Sequence, residues 1–178
     1  MEIDYDLEFL EDGHTIEPIS IGMVRADGKE YYAVNRDMPL DRIRKHAWLM
    51  QNVMNSLPVR FDREDPWDET HPDFDKIKTK DEIAADIRRF VMDTTMPSLW
   101  AYFASYDHVA VCQFFGRMID LPAGFPMRTN DIMQEAERLG YPPMPEQPSG
   151  AHNALADARW NQVRRLYLKE VAQLLGRV

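Results

Sequence analysis

Ile3-Asp4-Tyr5-Asp6-Leu7-Glu8-Phe9-Leu10 opens the chain as a strand. Residues 2–9 alternate acidic and apolar side chains, the two-residue period of an extended segment with two unlike faces. Positions i and i+2 of a strand face the same side, so Asp6 and Glu8 project together, within reach of shared cations. Two like charges that close are unfavourable unless a proton or a metal compensates them. Taken alone, the pair reads as the solvated face of an edge strand, because Glu2 and Asp4 continue the alternation.

Working outward, Pro18 to Arg25 is a second strand, and Asp27-Gly28 marks a hairpin into a third over Glu30 to Val34. A helical stretch begins at Pro39, with Leu40, Ile43, Ala47 and Met50 at helical spacing. Residues 58–78 carry Pro58, Pro66 and Pro72 among many charges and read as irregular. Asp62, Glu64, Asp65, Asp68, Glu69, Asp73 and Asp75 crowd there, as a solvated loop or an edge for a partner or substrate. Thr79-Lys80-Asp81-Glu82 is a capping box, and its helix places Ile83, Ile87, Phe90 and Val91 on one face. Leu99 to Ala104 reads as a buried strand, followed by a helix from about Tyr106 to Phe115. Thr129 or Asn130 caps a helix ending at Gly140, the prolines of 142–150 hold a loop extended, and a last helix runs from about Ala154 to Leu175. A meander followed by strands alternating with helices predicts an α/β fold, a mixed β-sheet flanked by α-helices. No repeat or linker breaks the chain, so one domain over 1–178 is expected.

Composition is ordinary for a globular chain of 178 residues, with 44 % hydrophobic and 29 % charged residues. A single cysteine, Cys112, excludes an internal disulfide framework and fits a reducing cytoplasm; its apolar surroundings make it a packing residue. There is no basic segment leading into an apolar stretch at the N-terminus and no apolar run of membrane-spanning length, so neither signal peptide nor membrane partner is expected. The net charge of −9 argues against gripping long duplex nucleic acid by phosphate neutralisation alone. It leaves open a nucleic-acid substrate met by metal ions held on carboxylates.

Asp107, in Tyr106-Asp107-His108, follows an apolar strand, where open α/β sheets place their sites; alone it reads as a helix N-cap. In the late stretch His152-Asn153-Ala154-Leu155-Ala156-Asp157, Asp157 faces the sheet with Ala154, Ala158 and Asn161, and a charge there requires a partner. His152 alone is a loop histidine. Arg159, Arg164, Arg165 and Lys169 on the same helix read as a solvated face, or as a draw for phosphate. Together the four acids and the histidine are what a two-metal phosphodiesterase needs.

Asp-x-Glu near the start, an Asp after a mid-chain strand and His-x-x-x-x-Asp in a late helix resemble the DEDDh 3′–5′ exonucleases, whose fold is RNase H-like. Residues 152–159 look very like that family's third motif. Residues 6–17 and 100–110 are similar to the polyadenylate-specific exoribonuclease AS branch, and the likeness spans roughly 1–167 in the right order. Leu7 stands where threonine is usual and Tyr106 where many relatives have phenylalanine, both non-ligand positions. The resemblance implies that Asp6, Glu8, Asp107 and Asp157 hold two Mg²⁺ or Mn²⁺ ions. It implies that His152 is the general base, and that single-stranded, adenylate-rich RNA 3′ ends yield nucleoside 5′-monophosphates such as AMP. It further implies that Phe9, Leu10, His14, Thr15 and Ile16 contact substrate and that the protein is a homodimer, with Trp48, Met50 and Met54 as interface or simply core. A DNA-directed proofreading exonuclease and a non-catalytic binding module are the rival readings.

Overall fold

β1 (Glu2–Glu11), β2 (Ile16–Arg25) and β3 (Glu30–Asn35) form the antiparallel meander that the opening sequence predicts. The hairpin closes as Asp27-Gly28 foretells: Gly28 lies at φ 86°, and the Arg25 N–H donates to Lys29 O at 2.9 Å. The computed structural model describes residues 1–177; residue 178, the last of the expected span, lies outside the described residues.

Between β3 and the core helix the chain folds into α1 (Leu40–Ile43), α2 (Ala47–Asn52) and β4 (Ile77–Lys78). The helical stretch expected from Pro39 is broken at His46, which is extended at φ −96° and caps α2 by accepting the Leu49 N–H. Residues 58–78 are mostly irregular, but their end pairs with β3 as β4, a strand the charge-rich sequence concealed. α3 (Lys80–Met92) carries the full capping box on Thr79 and Glu82 and buries Ile83, Ile87 and Val91. β5 (Ser98–Ala101) ends earlier than expected, because Phe103 turns left-handed (φ 54°) into α4 (Ser105–Phe115). β6 (Asn130–Asp131) precedes α5 (Ile132–Arg138). The cap of α5 is Asp131, which accepts the Met133 N–H at 2.8 Å, and not Thr129 or Asn130. Asn130 is committed to the sheet, donating to Leu99 O at 2.9 Å. α6 (Ala154–Leu174) starts from Asn153, which accepts the Ala156 N–H.

The sheet has six strands in the order β4-β3-β2-β1-β5-β6, with β1–β5, β5–β6 and β3–β4 parallel and the rest antiparallel. This mixed α/β sheet, flanked by helices, is consistent with an RNase H-like fold. Ile3, Tyr5 and Leu7 pack with Ile83, Ile87, Val91, Ala110 and Val111 on one face, while the acids alternating with them turn towards α6. β1 is thus a central strand. Asp4 is fully buried and bound by Arg165, which overturns both the solvated-edge reading of the alternation and the solvated-face reading of Arg165.

Candidate active site

The site forms where the sheet changes direction. The β1–β5 ladder joins Glu2, Ile3 and Asp4 to Ser98, Leu99 and Trp100 and then stops. Beyond it the two strands part, leaving a crevice at their carboxyl ends, the usual ligand position of open α/β sheets. The Leu7 N–H, past the last rung, donates to Asp107 Oδ1 at 2.9 Å. That bond ties the first turn of α4 to β1. One step on, the β1–β2 register shifts between Glu8 and Phe9: Glu8 pairs with Ser20 and Phe9 with Pro18, leaving Ile19 as the bulged residue.

Across β1 from Asp6 stands Gly22, and α6 crosses directly over it. A Cβ on Gly22 would overlap the Ala154 carbonyl and Leu155 Cα, so only glycine admits the helix this close. The approach brings Asp157 to β1: ligand oxygens of Asp6, Glu8 and Asp157 all lie within 4.8 Å of one another. Asp107 borders the same cavity without belonging to that triplet. Asp157 is held by two donors, Gln147 Nε2 at 2.7 Å on Oδ1 and the His152 N–H at 2.8 Å on Oδ2. His152 itself is left-handed (φ 66°), and its ring meets Trp48 edge-on with centroids 4.9 Å apart.

The cavity measures about 270 Å³ and is lined by all five of the sequence-predicted acids and histidine, with Leu7, Phe9, Tyr102, Phe103 and Tyr106 as its walls. Phe9 and Tyr106 lie nearly parallel, 10° apart in plane and 6.3 Å between centroids. Leu10 is buried in the core beneath β3, Ile16 packs against the other core cluster, and His14 and Thr15 are exposed in the β1–β2 turn. Phe103 and His152 are both non-glycine residues with positive φ, a conformation costing on the order of 1 kcal/mol or more each.

Crowding four carboxylates here disfavours their charged forms. Burial pushes the Glu8 carboxyl up to about 8, aided by the charges of Asp157 and Asp107. Burial likewise drives Asp6 far above the usual carboxylate range, with Asp107, Glu8 and Asp157 adding to it. Asp107 is raised by burial against the pull of the Leu7 N–H, and Asp157 by burial against its Gln147 and His152 donors. Such a set binds protons or a cation; its all-oxygen donors fit a hard divalent ion such as Mg²⁺ or Mn²⁺. A larger cavity, about 490 Å³, opens between β2, β3 and α3, but its cations are matched internally: Arg25, Lys29, Lys78 and Arg89 pair with Asp27, Asp86 and Asp93.

Several neighbours of the site carried no signal in the sequence. Gln147 lies in the proline-rich loop, and Trp48 in a helix read as core or interface. Asp131 accepts the Ala104 N–H at 3.0 Å and so pins the turn that delivers Asp107. Each acts through the fold, at a sequence distance no spacing rule reaches.

An α/β sheet with an acidic, oxygen-lined crevice at its switch point defines the class to which hydrolytic nucleases belong. Residues 1–167 match the 3′-5′ exoribonuclease Rv2179c-like domain family, and the chain belongs to that family. It is 40 % identical over 170 residues to "3′-5′ exoribonuclease Rv2179c" of Mycobacterium tuberculosis (strain ATCC 25618 / H37Rv), covering 94 % of this chain and 92 % of that protein. The same figures hold for "3′-5′ exoribonuclease MT2234.1" of Mycobacterium tuberculosis (strain CDC 1551 / Oshkosh). Among the described residues no helix is long and apolar enough to cross a membrane.

Proposed function

We propose that this protein is a DEDDh-type 3′-5′ exoribonuclease that shortens single-stranded RNA to nucleoside 5′-monophosphates, with residues 1–178 forming one catalytic domain. The observation that carries the reading is the convergence of Asp6, Glu8 and Asp157, from opposite ends of the chain, into one oxygen cluster with His152 at its rim. The family membership and the names of the two relatives point the same way.

In this reading Asp6, Glu8, Asp107 and Asp157 hold two divalent ions. Bound there, the ions supply a water nucleophile and neutralise charge developing on the phosphate. The protein's own groups do the rest. His152 takes the proton of the attacking water, the general-base role that histidine fills most often. Its ring is braced by Trp48, and its backbone N–H is bonded to the very carboxylate that completes the cluster. Phe9 and Tyr106 offer aromatic surface at the cavity wall on which the terminal bases stack. Ile16 packs in the same core cluster as Phe9, Leu10 is buried in the other cluster, and His14 and Thr15 lie at the adjoining turn. A preference for adenylate-rich ends and a homodimeric state follow from the likeness of residues 6–17 and 100–110 to the exoribonuclease AS branch, and a cytoplasmic setting fits the single cysteine, Cys112.

The test is a 5′-labelled single-stranded RNA incubated with Mg²⁺ or Mn²⁺, beside the matched DNA. The expected result is a ladder shortened from the 3′ end with release of 5′-monophosphates, faster on RNA. Silence on RNA across divalent metals would make the chain a binding module; equal or faster cleavage of DNA would move it to the proofreading class.

A further inference from the structure

α6 presents Asp157, Asn161 and Arg165 at four-residue spacing, one stripe along its surface. β1 presents Glu8, Asp6 and Asp4 at two-residue spacing on the face turned to that helix. Four residues of helix rise about 6 Å, and two residues of strand about 6.6 Å. Two steps of one stripe therefore match two steps of the other to within roughly 1–2 Å. The stripes meet at both ends and in the middle. At one end an Asp157 oxygen joins those of Asp6 and Glu8 within 4.8 Å. In the middle Asn161 Nδ2 donates to Tyr5 O at 3.0 Å. At the far end Arg165 Nε and Nη2 donate to Asp4 Oδ1 and Oδ2, both at 2.7 Å. The side chains of that pair are 7 % and 0 % exposed.

The geometry points to Asp4 and Arg165 as a positioning pair for the catalytic cluster, fixing the register and rotation of α6 on β1 and thereby where Asp157 stands relative to Asp6 and Glu8. The inference rests on the reading of those three carboxylates as metal ligands. A two-pronged guanidinium–carboxylate bond fixes plane and direction together, which a point charge does not. A slip of one residue would move α6 by about 1.5 Å and turn it by about 100°. That slip would take Arg165 off Asp4 and Asp157 away from Asp6 in the same motion. Adhesion alone does not explain the pair: a buried ion pair is often no more stabilising than apolar residues of similar volume. What it adds over an apolar contact is a single permitted alignment.

The deciding variant is the double substitution Asp4→Leu/Arg165→Met, which leaves no unpaired charge buried; Arg165→Lys keeps the charge and loses the fork. Mn²⁺ binding is read by titration calorimetry, kcat and KM on single-stranded RNA, and stability by thermal melting. In the double variant we expect a melting temperature close to wild type, Mn²⁺ affinity reduced about tenfold or more, and kcat lowered with KM nearly unchanged. Arg165→Lys should fall between it and wild type. A double variant that folds and binds Mn²⁺ as tightly as wild type, with kcat intact, overturns the inference. A wild-type protein that neither binds Mn²⁺ nor cleaves RNA overturns the functional reading beneath it instead.

Discussion

Gly22→Ala tests how the site is assembled, because it adds one methyl group where α6 crosses the sheet. The new Cβ would stand closer than 3.0 Å to Ala154 O, Ala154 C and Leu155 Cα. All three are backbone atoms of a helix start and cannot rotate aside. Ordinary contact begins at 3.4 Å, so the end of α6 must retreat by on the order of 1 Å. Asp157 lies one turn further along and retreats with it, away from Asp6 opposite Gly22. Overpacking of this kind costs about 1–3 kcal/mol. At roughly 2–4 °C per kcal/mol for a chain of this size, the melting temperature should fall by roughly 2–12 °C. A misplacement of about 1 Å at a reacting centre costs about a hundredfold in rate. The assay pairs a circular-dichroism melt with 3′-end shortening of labelled RNA across a Mn²⁺ series. A Gly22→Ala protein that melts within a degree of wild type and cleaves at the same rate would refute the argument that close approach of α6 builds the cluster.

His152→Ala should lower kcat by about 10²- to 10⁴-fold with the fold intact; an undiminished rate removes the general-base assignment. Metal-free protein should lose stability as pH rises from about 4.5 to 8. Over that window the folded state keeps a proton on Glu8, held up to about 8, that the unfolded chain, at the usual 4.5, has already released. At about 1.4 kcal/mol for each pH unit between the two values, the loss reaches a few kcal/mol. Mn²⁺ should offset the loss, since a bound cation favours the charged carboxylates; denaturant titrations at pH 5 and pH 8 that agree without metal would contradict this.

Much was readable without coordinates. The alternation of residues 2–9, the Asp27-Gly28 turn and the Thr79–Glu82 capping box are local effects, decided by neighbours within a few positions, and the structure has each of them where the sequence predicts. Local signals erred where a distant partner outweighed them. β4 exists only because β3 lies beside it, and Asp131 rather than Asn130 caps α5 because Asn130 is bonded to β5, whereas the break at His46 is itself local, its ring accepting the Leu49 N–H.

The site divides along the same line. The sequence by itself determined which groups have the chemistry: carboxylates in a strand, an aspartate after a strand, and a histidine leading a helix, since residue type and period are local properties. Only the tertiary structure decided that β1 is central, that Asp4 is sealed against Arg165, that Gly22 admits α6, and that Gln147 and Trp48 hold Asp157 and His152. Apart from the nearby Gln147–Asp157 bond, those facts depend on which surfaces meet across more than a hundred residues of chain, and the packing of helix on sheet settles that, not any spacing along the backbone.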